Sequence, residues 1–207
     1  YEGNNEMIWG VTGSYGLNVN NNGPILDYIG TTQITTYGLN ATAINALNVA
    51  TGSCTNTVFV DPNTLGYIPA NSKFLIANSC MCVPSAYDLS GLCNSGPIYV
   101  VFGTGPSWAC NTSGGIFGNT NSGGVKDFDL DFAPWGVPIV PSYSFTAGSL
   151  SPSDGAAITL NPAGGAATGY FNNGCAVPFT ILPIDLIDFY ATQNGSKNDL
   201  VWKVASE

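Results

Sequence analysis

The apolar residues of this chain fall in short runs, and nearly every run is bounded by a cluster of turn-forming residues. Asn21-Asn22-Gly23-Pro24, Asp61-Pro62-Asn63, Ser113-Gly114-Gly115, Asn121-Ser122-Gly123-Gly124, Asn161-Pro162-Ala163-Gly164-Gly165 and Asn172-Asn173-Gly174 punctuate the sequence. Gly and Asn tolerate left-handed backbone, and Pro fixes φ and has no N–H to donate, so these clusters interrupt any regular element. Runs too short for an ordinary helix still suffice for strands, and the chain reads as all-β, a sandwich or barrel. The expected strands are 7–12, 24–30, 57–60, 73–78, 98–103, 126–132, 139–145, 156–160, 178–182, 186–191 and 200–204. One stretch, 40–50, carries alanines and a leucine, but its asparagines and β-branched residues favour at most a short helical turn.

The ionisable inventory removes most familiar chemistry. The chain has no histidine, no arginine and only four lysines (Lys73, Lys126, Lys197, Lys203) against thirteen acids, for a net charge of −9. Without imidazole there is no Ser-His-Asp triad, no Cys-His pair and no histidine metal ligand. Without guanidinium there is no bidentate phosphate clamp, and four scattered lysines cannot neutralise the phosphates that nucleic-acid binding requires. No catalytic residue and no nucleic-acid partner are expected. Charged residues make up 8% of the chain, well below the roughly 25% of an ordinary soluble domain, while hydrophobic content is 44%. Polarity is therefore carried by Asn, Thr, Ser and Gly, a neutral surface suited to durability outside a cell.

Six cysteines, Cys54, Cys80, Cys82, Cys93, Cys110 and Cys175, form an even set. With no histidine and no paired C-x-x-C knuckles, disulfides fit better than a zinc or iron–sulfur site. A direct Cys80–Cys82 bond is geometrically poor, because residues two apart on an extended chain stand about 7 Å apart, at the far limit of what a disulfide spans. The expected pairing is Cys82–Cys93, Cys54–Cys80 and Cys110–Cys175. No run approaches the ~20 apolar residues of a spanning helix. The first residue is Tyr1, with no basic-then-apolar leader, which fits a mature secreted protein at an extracellular or outer-cell-surface location.

The last 26 positions read as a hairpin. Leu186 to Ala191 and Leu200 to Val204 flank an Asn194-Gly195 turn signal, and Leu200, Trp202 and Val204 share one face. The segment 182–207 resembles the opening of the carboxy-terminal sorting module of Bacteroidota proteins exported by the type IX secretion system. The matching residues are Leu182, Pro183, Ile184, Asp185, Leu186, Phe189, Asn194, Gly195, Leu200, Trp202, Ala205, Ser206 and Glu207. Upstream, Leu65-Gly66-Tyr67-Ile68-Pro69-Ala70-Asn71-Ser72-Lys73-Phe74-Leu75-Ile76 and Pro97-Ile98-Tyr99-Val100-Val101-Phe102-Gly103 are similar to strands of lamin-tail-like domains, although Glu6-Met7-Ile8-Trp9 departs from that family's first strand. The resemblance implies an immunoglobulin-like or jelly-roll-like β-sandwich that serves as a non-catalytic surface module. The expected organisation is a strand-like extension (1–22), a disulfide-stapled sandwich (23–181) and a carboxy-terminal hairpin (182–207).

Three surfaces are candidates for function. Ile8, Trp9 and Val11 near one end, with Leu186, Phe189, Leu200 and Trp202 near the other, are apolar, strand-like positions able to extend a neighbouring sheet. Repeated head-to-tail contact of that kind gives a homo-oligomer or filament. Asp127, Asp129 and Asp131 alternate with Phe128, Leu130 and Phe132, which puts three carboxylates about 7 Å apart on one strand face. Such a row discourages edge pairing, and calcium is the cofactor it could take, none other being expected. Trp9, Tyr15, Tyr37, Tyr67, Trp108, Trp135 and Tyr143 lie near turn signals, so surface glycans are the alternative partner and a secreted carbohydrate-binding module the alternative function.

Overall fold

The structure, a computed structural model, describes residues 6–19, 25–28, 36–38, 40–78, 80–81, 88–104, 125–131, 140–144, 156–161, 163–172, 186–194 and 197–204. In chain order the elements are β1 (Met7–Val11), β2 (Leu17–Asn18), β3 (Ile25–Tyr28), β4 (Thr36–Gly38), α1 (Ala41–Ala50), β5 (Thr57–Val60), β6 (Tyr67–Ile68), β7 (Lys73–Asn78) and β8 (Gly96–Thr104). They continue with β9 (Lys126–Asp131), β10 (Pro141–Tyr143), β11 (Ala156–Thr159), β12 (Gly165–Ala166), β13 (Gly169–Asn172), β14 (Leu186–Asn194) and β15 (Lys197–Val204).

The architecture is organised around two parallel neighbours, β7 and β8, in register from Lys73 opposite Ile98 to Asn78 opposite Gly103. A parallel pair is normally covered on both faces, and its strands then read as continuous apolar runs. Phe74, Leu75, Ile76 and Ala77 are all buried, as are Ile98, Val100, Val101 and Phe102. Alternation divides these side chains between two cores. On one face Phe74, Ile76 and Val101 meet Val19, Ile68 and Tyr143, with Ile8, Tyr99, Ile158 and Tyr170 packed around them. On the other, Leu75, Ala77, Ile98, Val100 and Phe102 meet Ala43 and Leu47 of α1, Phe59 of β5, and Met81, Leu89 and Leu92. Each such fully buried aliphatic or aromatic side chain contributes about 1.5–3 kcal/mol.

β1 pairs antiparallel with β7 and closes one side of this five-stranded sheet. The opposite edge of β8 is shared end to end: parallel β5 occupies Gly96 to Tyr99, and antiparallel β4 occupies Phe102 to Thr104. A second, four-stranded sheet runs in the order β12-β10-β9-β3, and three two-stranded ribbons, β2–β6, β11–β13 and β14–β15, complete the pairing. The Tyr170 hydroxyl accepts from the Ser144 N–H at 2.9 Å, tying β13 to the end of β10.

The all-β expectation is corrected by α1, which makes the fold mostly-β with one helix. Helix propensity across 41–50 is indifferent, so tertiary contacts decide. The Asn40 side chain caps the first turn by accepting from the Ala43 N–H at 3.0 Å. Ala43 and Leu47, one turn apart, enter the core with the partly buried Ile44. Asn48 then holds the helix to β5 from both ends of one amide: its Oδ1 accepts from the Phe59 N–H (2.7 Å) and its Nδ2 donates to the Phe59 carbonyl (3.0 Å). At the far end the Thr51 N–H and hydroxyl both donate to the Leu47 carbonyl. Expected strand 178–182 lies outside the described residues.

The cysteine pairing is also corrected. Cys54 is bonded to Cys93, so the expected Cys54–Cys80 and Cys82–Cys93 bonds do not form. The reason is the parallel register of β5 and β8. Thr57 lies opposite Gly96, and the run-in to that ladder already joins the Asn94 N–H to the Thr55 carbonyl and the Gly96 N–H to the Asn56 carbonyl. Position 54 therefore meets position 93. Cys80 is disulfide-bonded as well, and Cys82, Cys110 and Cys175 lie outside the described residues. Cys54 and Cys93 are 39 residues apart, and closing a loop of that size stabilises the native state by about 4 kcal/mol. Replacing both residues (Cys54→Ser with Cys93→Ser) is expected to lower the unfolding free energy by about that amount, read by urea denaturation of the purified double variant against wild type.

Candidate functional site

β1 carries the amino-terminal assembly candidates, and its placement differs from a loose extension. Within 6–19 the chain is built into the body: Met7 pairs with Ala77 and Val11 with Lys73. Met7 and Trp9 pack on the α1 side of the sheet and Ile8 on the other. The Trp9 ring meets Phe59 edge-on at 6.3 Å. Beyond the strand, Thr12 is buried and locked, its hydroxyl donating to the Pro69 carbonyl at 2.7 Å and accepting from the Ser72 N–H at 2.8 Å. Val11 is exposed. Gly10 lies under the Phe74 ring of the neighbouring strand, where an added Cβ would stand 2.3 Å from Phe74 Cζ. Among the described residues no strand covers the outer edge of β1, so what it offers a partner is main chain plus Val11.

The carboxy-terminal candidates lie on β14 and β15. The hairpin register runs from Leu186 opposite Val204 to Asn194 opposite Lys197, with an irregularity between Leu186 and Asp188. Both strands extend further toward the turn than their apolar runs suggest, because pairing continues through Thr192 with Asp199 and Gln193 with Asn198. Phe189 opposes Trp202 and Ala191 opposes Leu200. By alternation these four positions share a face, and Asp188 opposite Lys203 falls on the other. Among the described residues β14 and β15 pair only with each other, and a lone two-stranded ribbon is marginal in water.

The aspartate row acquires a fourth member. β3 pairs antiparallel with β9, putting Asp27 directly opposite Asp129, between the positions of Asp127 and Asp131. Opposed positions have Cβ atoms about 5 Å apart, and like charges there are destabilising. Asp27 was not among the sequence candidates, since only the pairing of strands far apart in the chain reveals it. In calcium-free buffer at pH 7, Asp27→Asn is expected to raise stability by about 0.2–1 kcal/mol. Urea denaturation of the variant beside wild type reads the gain.

Lys73 and Ser95 form a second arrangement that motif reading missed. Lys73 Nζ donates to Ser95 Oγ at 2.9 Å, and partial burial pushes the ammonium below its ordinary value. A lysine–serine pair is a nucleophile–base combination open to a chain without histidine. Acyl transfer also needs amides aimed at an oxyanion, and those of this turn are committed. The Ser95 N–H donates to the Leu92 carbonyl and lies 3.3 Å from Thr57 Oγ1, the Gly96 N–H donates to the Asn56 carbonyl, and Pro97 has none. The pair instead ties the start of β7 to the approach of β8.

Because Lys73 binds its proton less tightly in the fold, the unfolded chain holds more protons between the two pKa values, and stability rises with pH across that window. Relative to Lys73→Met, wild type should therefore gain stability as pH climbs from 7 to the ordinary lysine value of 10.5. Paired denaturation curves test this, since tyrosine ionisation is common to both proteins.

The candidate aromatics divide sharply. Trp9 and Tyr143 serve the cores, whereas Tyr15 and Tyr67 are exposed. Tyr37 is in β4, and Trp108 and Trp135 lie outside the described residues. Among the described residues no helix is long and apolar enough to cross a membrane. Comparison of the chain with protein-family models, curated proteins and solved structures finds no match.

Proposed function

We propose that this chain is a non-catalytic extracellular structural or adhesive protein that assembles with copies of itself by strand addition. The outer edge of β1, which no strand covers among the described residues, carries the reading. β1 is the acceptor, and the β14–β15 hairpin of a neighbouring copy is the donor. Donor and acceptor lie on different parts of one chain, so the contact is heterologous and repeats into a filament or surface layer unless the rotation between copies closes a ring.

Main-chain bonds along a strand the length of β1 supply about 1 kcal/mol each, a few kcal/mol in all, too little for stable association at ordinary concentrations. The apolar hairpin positions Leu186, Phe189, Leu200 and Trp202 supply the remainder when buried. At a net charge of −9 packed copies repel one another, so salt that screens this charge favours assembly. The body is a β-sandwich of immunoglobulin-like or jelly-roll-like kind, a reading supported by Tyr143, Ile158 and Tyr170 packing beneath the β7–β8 pair. The disulfide supports an oxidising, extracellular setting. Residues 182–207 are the start of a type IX sorting module, a reading supported by the sequence resemblance alone.

Electron microscopy and sedimentation of the purified chain test the assembly. Wild type is expected to form filaments or concentration-dependent oligomers, and Val11→Lys, a charge placed on the exposed edge, is expected to yield folded monomers. Uniform monomers of wild type at high concentration overturn the reading.

A further inference from the structure

The ribbon β2–β6 carries a second surface, away from the β1 edge. Tyr15 is 76% exposed, Tyr67 49% and Leu65 50%. Leu17 pairs with Ile68 and Asn18 with Tyr67. Ile68 is fully buried, so alternation turns Tyr67 outward. The Tyr67 ring lies against Gly16, whose added Cβ would stand 3.4 Å from Tyr67 Cδ2 and 2.6 Å from the Ile68 carbonyl oxygen. Tyr15 is the next residue along, so both phenol rings rise from backbone points within roughly 10 Å of each other.

This support is fixed in place. The Val19 N–H donates to the Gly66 carbonyl, the Asn71 N–H to the Gly13 carbonyl, and the Thr12 hydroxyl to the Pro69 carbonyl. Neither phenol hydroxyl has a hydrogen-bond partner among the described residues. Among the described residues these two solvent-facing tyrosines thus belong to neither core and make no internal side-chain hydrogen bond, and they stand on backbone that is held in place.

The surrounding chain identifies the ligand class. Residues 7–26 and 62–72 contain no Asp, Glu, Lys or Arg. Phosphates, phospholipid headgroups and acidic or basic peptides would each need a countercharge that these segments lack. A bilayer would need a broader apolar face than three side chains. Ser14, Thr64 and Asn71 occupy the same segments and offer neutral donors and acceptors, whereas the Asn63 amide donates to Asp61. We propose that Tyr15 and Tyr67 form two adjoining stacking positions for an uncharged oligosaccharide, with Leu65 beside them. Ring faces meet the apolar faces of the sugars, and the free phenols and neighbouring amides meet the hydroxyls. The site uses none of the residues assigned to strand addition, so it stands or falls independently of that reading.

The test uses the full chain with cellopentaose, chitopentaose, xylopentaose and maltopentaose as probes, each titrated calorimetrically against wild type, Tyr15→Ala, Tyr67→Ala and, as an exposed control on α1, Val49→Ala. At least one probe is expected to bind wild type and Val49→Ala equally and to lose tenfold or more in affinity to each tyrosine variant, with circular dichroism unchanged. Absence of binding by all four probes at millimolar concentration overturns the proposal, as does binding that both tyrosine variants retain. Retention on phosphatidylcholine vesicles that depends on the two tyrosines, without glycan binding, overturns it in favour of a membrane surface.

Discussion

Burial of the parallel β7–β8 pair on both faces is the constraint from which the rest follows. Parallel neighbours cannot be joined by a tight turn, so the chain between them makes a crossover, 79–95, and that crossover delivers Met81, Leu89 and Leu92 to the core shared with α1. The other face takes its cover from β6, β10, β11 and β13. β1 closes one side, and β4 and β5 divide the other. A sheet with only one buried face would have left α1 without a surface to pack on, and its weak propensity would not have formed a helix unaided.

Asparagine performs much of the work that charged groups perform elsewhere. Asn40 caps α1, Asn48 replaces a neighbouring strand along Phe59, and Asn78 and Asn161 accept from amides two residues on. Asn56, Asn71 and Asn94 occupy left-handed backbone, with φ of 54°, 54° and 64°, a region asparagine enters more readily than other side-chain-bearing residues. The scarcity of charge is therefore structural as well as superficial. Neutral amides hold turns and helix ends together and leave long stretches of the chain uncharged, the condition that recognition of uncharged ligands requires.

The two proposed surfaces differ in what they present. The β1 edge offers backbone hydrogen-bonding groups and the exposed Val11, while Met7, Ile8 and Trp9 are committed to the cores, so a partner there is selected mainly by its own apolar face. The β2–β6 ribbon offers side chains whose backbone is already committed. Thr12, whose hydroxyl bonds to the 69–72 turn, separates the two in sequence and fixes both.

Sequence by itself determined most of the strand content and the absence of histidine and arginine from any site the chain can build. β5 and β7 have the bounds their apolar runs imply, β1, β3, β8, β9, β10 and β11 overlap their runs, and the hairpin reverses one residue past its Asn-Gly signal, with Asn194 opposite Lys197. These features are local, set by alternation and by turn residues. The short strands β2, β4, β6, β12 and β13 escaped notice because such brief, glycine-containing or glycine-flanked pieces become strands only when a neighbour supplies the ladder. Tertiary structure alone decided that 41–50 is a helix, that Cys54 meets Cys93, that Asp27 faces Asp129, that Lys73 meets Ser95, and that of seven candidate aromatics Tyr15 and Tyr67 stand in solvent while Trp9 and Tyr143 do not. Each depends on which distant strands are neighbours and in what register. Apolar runs state that a segment will pair, but packing of the whole chain selects its partner.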